Sequence, residues 1–177
     1  MIIIKFIVTS LVALLACAIL AFLVGTAYGW EKVWPRFFGN PDQGQVQFST
    51  LTKTPKPNQA LVCPEGYCVE RHVDMTAPTY ALSVEELRAA FLTSIEGEER
   101  LERVDDNNEP NRLRFVQRTK LMRFPDTINI EFLPQADGRS SLAVFSQSQI
   151  GTSDFGVNLA RLERWLERLR QHEIASL

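Results

Sequence analysis

Few residues in this chain are of the types that do chemistry. The only histidines are His72 and His172, so any serine nucleophile, Ser146 or Ser148 for example, must borrow one of these two as its base. Neither serine sits in a G-x-S-x-G elbow, the sharp turn that exposes a hydrolase nucleophile. In "ERHVD", Glu70, His72 and Asp74 fall on one side of an extended segment and are metal-ligand types. No second histidine lies nearby, so a solvated polar edge fits better than a zinc site. Glycine loops that cradle phosphates are absent. The expectation is no catalytic set, no metal and no cofactor.

A second candidate is "SQIGTSDFGVN", residues 148–158, where a polar run reaches a glycine and launches a helix. Asp154 or Ser153 can cap that helix, and Gly151 allows a sharp exit from the preceding strand. Helix N-termini expose amide donors and a positive dipole end, which suit a small anion. Ser148, Gly151, Thr152, Ser153 and Asp154 would line such a site, with Asn158 and Arg161 facing back from the first turns. The other reading is a structural joint between strand and helix. A basic stripe, Arg112, Arg114, Arg118 and Lys120 with Arg123 beyond, can grip anions or lipid headgroups. The seven acids between Glu96 and Glu109 offer it partners across neighbouring strands instead.

These groups must be positioned by something, and the whole chain limits what. Nineteen basic and 21 acidic residues among 177 leave a net charge of −2, which argues against a nucleic-acid partner. Of three cysteines, Cys17 lies in an apolar leader. From Phe6 to Ala27 no residue is charged, and about 20 apolar residues at ~1.5 Å each cross a ~30 Å bilayer core. A cleaved signal peptide competes, but its apolar region runs only about 7–15 residues. Residues 1–29 therefore read as a membrane anchor, with the transmembrane helix at about 6–27. Tyr28, Trp30 and Trp34 follow at headgroup level.

Charges flanking the span barely discriminate its orientation. Pro64 and Gly66 in "CPEGYC" suit a tight turn bringing Cys63 and Cys68 together. A disulfide there persists only in an oxidising compartment, which favours a cytoplasmic N-terminus and a domain in the periplasm or lumen. Two reduced, buried cysteines remain the alternative. Within the anchor, Ala13, Cys17, Ala21, Gly25 and Gly29 recur at every fourth position, with Thr9 extending the series. Small residues so spaced let a second helix approach closely. The expected partners are thus the lipid bilayer and another membrane protein, or a second copy of the chain.

Residues 30–62 carry four prolines and two glycines between 35 and 62 and read as an extended tether holding the domain away from the bilayer. The soluble domain is expected over 63–177. "LSVEEL" carries a capping box, Ser83 with Glu86, and a staple of Leu82 on Leu87. Val84, Leu87, Phe91 and Ile95 then repeat at helical spacing up to Gly97. "RLRFVQRTKLM" and "TINIEF" alternate as strands, the latter with Ile128, Ile130 and Phe132 inward. "QADG" signals a hairpin, and "SLAVFSQSQI" the returning strand. Phe155, Leu159, Leu162, Leu166 and Leu169 form the apolar stripe of a final surface helix. The order predicts an α+β two-layer sandwich: an antiparallel sheet of about four strands with two helices on one face.

"FPDTINIEF", then "SQSQIGTSDFGVNLARLERWL", with "CPEGYCV" upstream, resembles the Domain of Unknown Function 1499 family over roughly Leu61 to Leu169. Gly151, Ser153, Asp154, Gly156, Val157 and Asn158 match the family's G-x-S-D-x-G-V-N signature. Arg161 matches the arginine usual beyond the Asn, and Cys63 and Cys68 match its cysteine pair. The chain departs where relatives read like Arg-Ser-x-Ser-Arg; here 145–149 are Phe-Ser-Gln-Ser-Gln, without either arginine. The resemblance implies a fold and an envelope location, and it supplies no reaction. The expected role is a non-catalytic, membrane-anchored accessory or protein-interaction subunit. A small-ligand or anion-binding domain is the alternative, and an envelope hydrolase the lesser one.

Overall fold

The computed structural model describes residues 2–175, with side-chain surroundings through Gln171; His172, one of the two candidate bases, falls outside them. Helix α1 (Ile2–Tyr28) contains an 18-residue stretch with a mean hydropathy of 2.9 and is long and apolar enough to cross a membrane. It stops where Gly29 takes a φ of 94°, and two single turns follow, α2 (Trp30–Val33) and α3 (Pro35–Phe38).

The domain is built on a mixed sheet of six strands in the order β2-β1-β6-β5-β4-β3. They are β1 (Gln59–Cys63), β2 (Met75–Thr76), β3 (Leu101–Arg103), β4 (Arg112–Arg118), β5 (Pro125–Pro134) and β6 (Ser140–Ser148). β1 and β2 run parallel, and the other neighbours are antiparallel. The expected count of about four, all antiparallel, is therefore corrected. β1 is buried on both faces, so it shows a plain apolar run rather than alternation. β2 and β3 are too short to carry a period, and pairing alone defines them.

The two long domain helices, α4 (Val84–Ser94) and α5 (Val157–Ala175), cover one face. Leu87 and Phe91 of α4, with Leu162, Trp165, Leu166 and Leu169 of α5, meet Leu113, Phe115, Ile128, Ile130, Phe132, Leu142 and Val144 of the sheet. Burying each such side chain stabilises by roughly 1.5–3 kcal/mol. Both halves of the capping box form, Glu86 N to Ser83 Oγ at 3.2 Å and Ser83 N to Glu86 Oε2 at 2.8 Å. Asp137 and Gly138 turn the β5–β6 hairpin with φ of 58° and 72°.

Two details of the apolar patterns differ. Phe155 is 95% exposed, because positive φ at Phe155 and Gly156 turns the chain before α5 begins; Trp165 fills the core instead. β4 ends at Arg118, and Thr119 to Phe124 closes a loop with Leu121 outward.

The opposite face of the sheet is also covered, by a part of the expected tether. Thr127 and Asn129, buried polar residues of β5, bind the backbone of residues 41–46. Gln43 N donates to Thr127 Oγ1 at 3.2 Å, and Thr127 Oγ1 donates to Pro41 O at 2.9 Å. Val46 N donates to Asn129 Oδ1 at 3.2 Å, while Asn129 Nδ2 donates to Gly44 O at 3.3 Å. Phe48 lies in a turn and packs with Leu61, Leu133 and Phe145. Residues 41–51 thus form a strap, and β1 begins inside the stretch read as tether. Proline and glycine remove helix and strand signals, but they do not stop a segment from binding a sheet through its backbone.

Candidate functional site

The two ends of the loop from β6 to α5 are joined by a network of side-chain hydrogen bonds. Ser146 and Ser148 have even positions on β6, the parity of the helix-facing Leu142 and Val144, so both lie under α5. From α5, Arg161 Nη1 donates to Ser146 Oγ at 2.8 Å and to Asn158 Oδ1 at 2.7 Å, while Ser146 Oγ donates to Asn158 Oδ1. Arg161 Nη2 donates to Asp126 Oδ2 at 2.6 Å. Asn158 Nδ2 reaches Ser148 Oγ at 3.0 Å and Asn58 O at 3.2 Å. Asn58 Nδ2 in turn holds Ser148 O at 3.3 Å and Gly151 O at 3.0 Å. The result is a clasp joining β1, β5, β6 and α5.

This arrangement answers which reading of "SQIGTSDFGVN" the geometry favours. Asn158 and Arg161 do not face outward; both are buried, and their donors end on protein oxygens. Asp154 accepts from Gly156 N at 3.0 Å and Asn158 N at 2.9 Å, so its carboxylate already occupies the start of α5. An anion arriving there meets a negative charge where the dipole alone would have welcomed it. Gly151, Thr152 and Ser153 are exposed beside the clasp. Ser153, Asp154 and Gly156 border an open cleft of about 430 Å³ whose other walls include Lys53, Lys56 and Asp74.

Ser146 is buried with its hydroxyl engaged on both sides, unlike a nucleophile awaiting substrate. Glu70 and Asp74 both accept hydrogen bonds from backbone amides. Glu70 accepts from Lys53 N at 2.8 Å and His72 N at 2.9 Å, and these amide bonds, that of His72 foremost, lower its pKa. Asp74 Oδ2 accepts from Leu61 N at 2.7 Å and pairs with Lys53 at 2.6 Å, pinning the β1–β2 edge. Cys63 and Cys68 form a disulfide, with Cα atoms 6.2 Å apart.

The basic stripe divides its partners among the acids upstream, Glu131 of β5 and the strap. Arg118 pairs with Glu102 across β3 and β4 at 2.9 Å, and Arg112 with Glu109 at 3.2 Å and Glu131 at 3.0 Å. Arg114 instead grips Asp42 of the strap at 2.7 Å. Burial would raise the pKa of Asp105, but hydrogen bonds from the Arg103 guanidinium and the Arg114 and Asn107 amides outweigh it. They hold the group at about 2.

In the anchor, Ala13, Cys17 and Ala21 are exposed along α1, but the stripe does not continue as expected. Gly25 is covered by the indole of Trp30, which stands where a Cβ would be, and Gly29 lies beyond the helix. The turns that follow α1 join the domain directly. Trp34 Nε1 donates to Met122 O at 2.6 Å, its ring packs on Phe124 at 4.9 Å, and Gln149 Nε2 donates to Phe38 O and Asn40 O at 2.9 and 2.7 Å. The domain consequently sits at the end of its helix, not tens of ångströms away on a free tether.

Sequence reading missed Asp126 and Asn58. A signal for Asp126 was present: in "PDTINIEF" it shares the inward parity of Ile128, Ile130 and Phe132, and an inward acid requires a cation. Comparison with known proteins adds one finding. The profile of a family described as "Protein of unknown function (DUF1499)" matches residues 48–169, a span that holds the clasp, the disulfide and every strand. No curated protein matches the chain.

Proposed function

The chain belongs to the DUF1499 family, and we propose that it is a single-pass, membrane-anchored accessory protein that works by holding a partner rather than by catalysis. The observation that carries this reading is α1. It is a 27-residue apolar helix in which only Gly25 is buried, and an unpartnered surface of that size requires lipid or another helix. The clasp supports the reading from the other side, since the residues best suited to chemistry are spent on holding α5 to the sheet. The Cys63–Cys68 disulfide favours the oxidising side of the membrane, with the N-terminus in the cytoplasm and the domain in the periplasm or lumen.

Helix contact runs through Ala13, Cys17 and Ala21, the part of the stripe left open. Gentle detergent extraction followed by native mass measurement should find the full-length protein in an assembly, and Ala21→Leu should weaken it. A strictly monomeric species with no crosslinked partner in the native membrane refutes the proposal.

A second reading, a small-anion-binding domain, draws on the Lys53 and Lys56 walls of the cleft beside Ser153 and Asp154. Thermal-shift screening of the detergent-solubilised protein with phosphate, sulfate and small carboxylates tests it. A flat response removes it.

A further inference from the structure

We infer that the loop Thr119–Phe124 is a second membrane contact, docking the domain onto anionic lipid headgroups of the leaflet from which α1 emerges. The inference rests on the reading of α1 as a membrane span. Tyr28 closes α1, Trp30 and Trp34 stack with ring centroids 4.9 Å apart, and Trp34 hydrogen-bonds Met122 in the loop. Indole rings at the end of a span settle among headgroups. A loop bonded to one of them is therefore carried to the same depth.

The composition of the surface fits that depth. The loop is closed by Thr119 N to Phe124 O and Phe124 N to Thr119 Oγ1, both 3.0 Å, and this closure pushes Lys120 and Leu121 outward. Leu121 is 64% exposed, and Phe37 and Phe38, on the turn that carries Trp34, are 74% and 48% exposed. Lys32 and Arg36 stand over the ring of Tyr28 at the end of α1, 5.8 and 5.7 Å from its centroid, and Lys120 and Arg123 belong to the loop itself. Glu31 on the same turn and Glu99, which feels Lys120 and Arg123, are the acids set against them. Exposed apolar groups and cations on the segments next to a membrane exit match an anionic lipid surface better than an acidic protein, because the helix already supplies the lipid. Interfacial cations are each worth about fivefold in partition to such a surface.

Electron paramagnetic resonance of the full-length protein in nanodiscs tests this. On a Cys17→Ala background, nitroxide labels are placed by Leu121→Cys, by Leu15→Cys in α1, and by Ala136→Cys at the far hairpin. Nanodiscs contain phosphatidylcholine alone or with one-third phosphatidylglycerol. With the anionic lipid, labels 121 and 15 should collide with oxygen and be shielded from an aqueous nickel chelate, while label 136 should behave oppositely. Lys120→Gln with Arg123→Gln should shift the docked-to-free ratio of label 121 by roughly 25-fold, from two cations lost at about fivefold each. A label 121 as wet as label 136, with label 15 in lipid, overturns docking and leaves the anchor standing. A wet label 15 overturns both. Shielding of label 121 that ignores lipid charge and persists in the double variant shows protein coverage instead, and also overturns the inference.

Discussion

Arg161 and Asp126 meet at 2.6 Å beneath α5, with side chains only 5% and 3% exposed. They come from elements far apart in sequence, and Ser146 and Asn158 accept from the other terminal nitrogen of the guanidinium, Nη1. The pair is thus a lock between helix and sheet at the point where the family signature ends.

Breaking one half of this pair should be far worse than removing both. Asp126→Asn or Arg161→Met leaves a buried charge without its partner, and each should cost about 3–5 kcal/mol in urea unfolding of the full-length protein. Asp126→Leu with Arg161→Met should cost clearly less than the sum of the single changes. Additive losses would show that the two side chains act independently.

The strap should come loose when its polar pegs are removed. Asn129→Ala and Thr127→Val each delete bonds to the backbone of residues 41–46, and each should cost about 1–3 kcal/mol. Amide hydrogen exchange should speed up at Gln43 and Val46 more than in α4. Unchanged exchange at those amides would mean that the strap is held by other contacts.

Asp105 should make the domain acid-sensitive in a definite direction. Its folded pKa of about 2 lies below the ordinary value near 4, so the unfolded chain binds the proton more tightly. The stabilisation is complete above about pH 4 and is lost as pH falls toward 2. Asp105→Asn should therefore melt below the parent at neutral pH, and the gap should close on acidification. A gap independent of pH would mean that the loss is of shape and not of charge.

Reduction of Cys63–Cys68 should lower stability without abolishing the fold. The bridge closes a loop of sequence separation 5, for which chain entropy gives about 2 kcal/mol. Thermal melts with and without reductant, compared with a Cys63→Ser, Cys68→Ser variant, should coincide for the reduced parent and the variant. A parent indifferent to reductant would show that the thiols are unpaired in the native protein.

The local elements were legible because their signals are local. The capping box at Ser83, the inward run of Ile128, Ile130 and Phe132, the Asp137–Gly138 turn and the uncharged stretch of α1 each declare themselves within a few residues. β1 was hidden because a strand buried on both faces loses its alternation, and β2 and β3 are too short to have one. The strap was unreadable for a different reason: its bonds to Thr127 and Asn129 use main-chain atoms, and main-chain atoms are the same whatever residue carries them.

What the amino-acid order determines by itself is therefore the membrane-length helix, the α+β class, the facing of each long element and the family. What only the tertiary structure decided is how Asn158 and Arg161 are used. Their sequence neighbourhood is compatible with an open anion cradle or a closed joint. The choice fell when folding brought Asp126, Ser146 and Asn58, from three other strands or their edges, within hydrogen-bonding distance. Once water is excluded, those partners compete without rival for the guanidinium and the amide, and the signature closes on the protein's own interior.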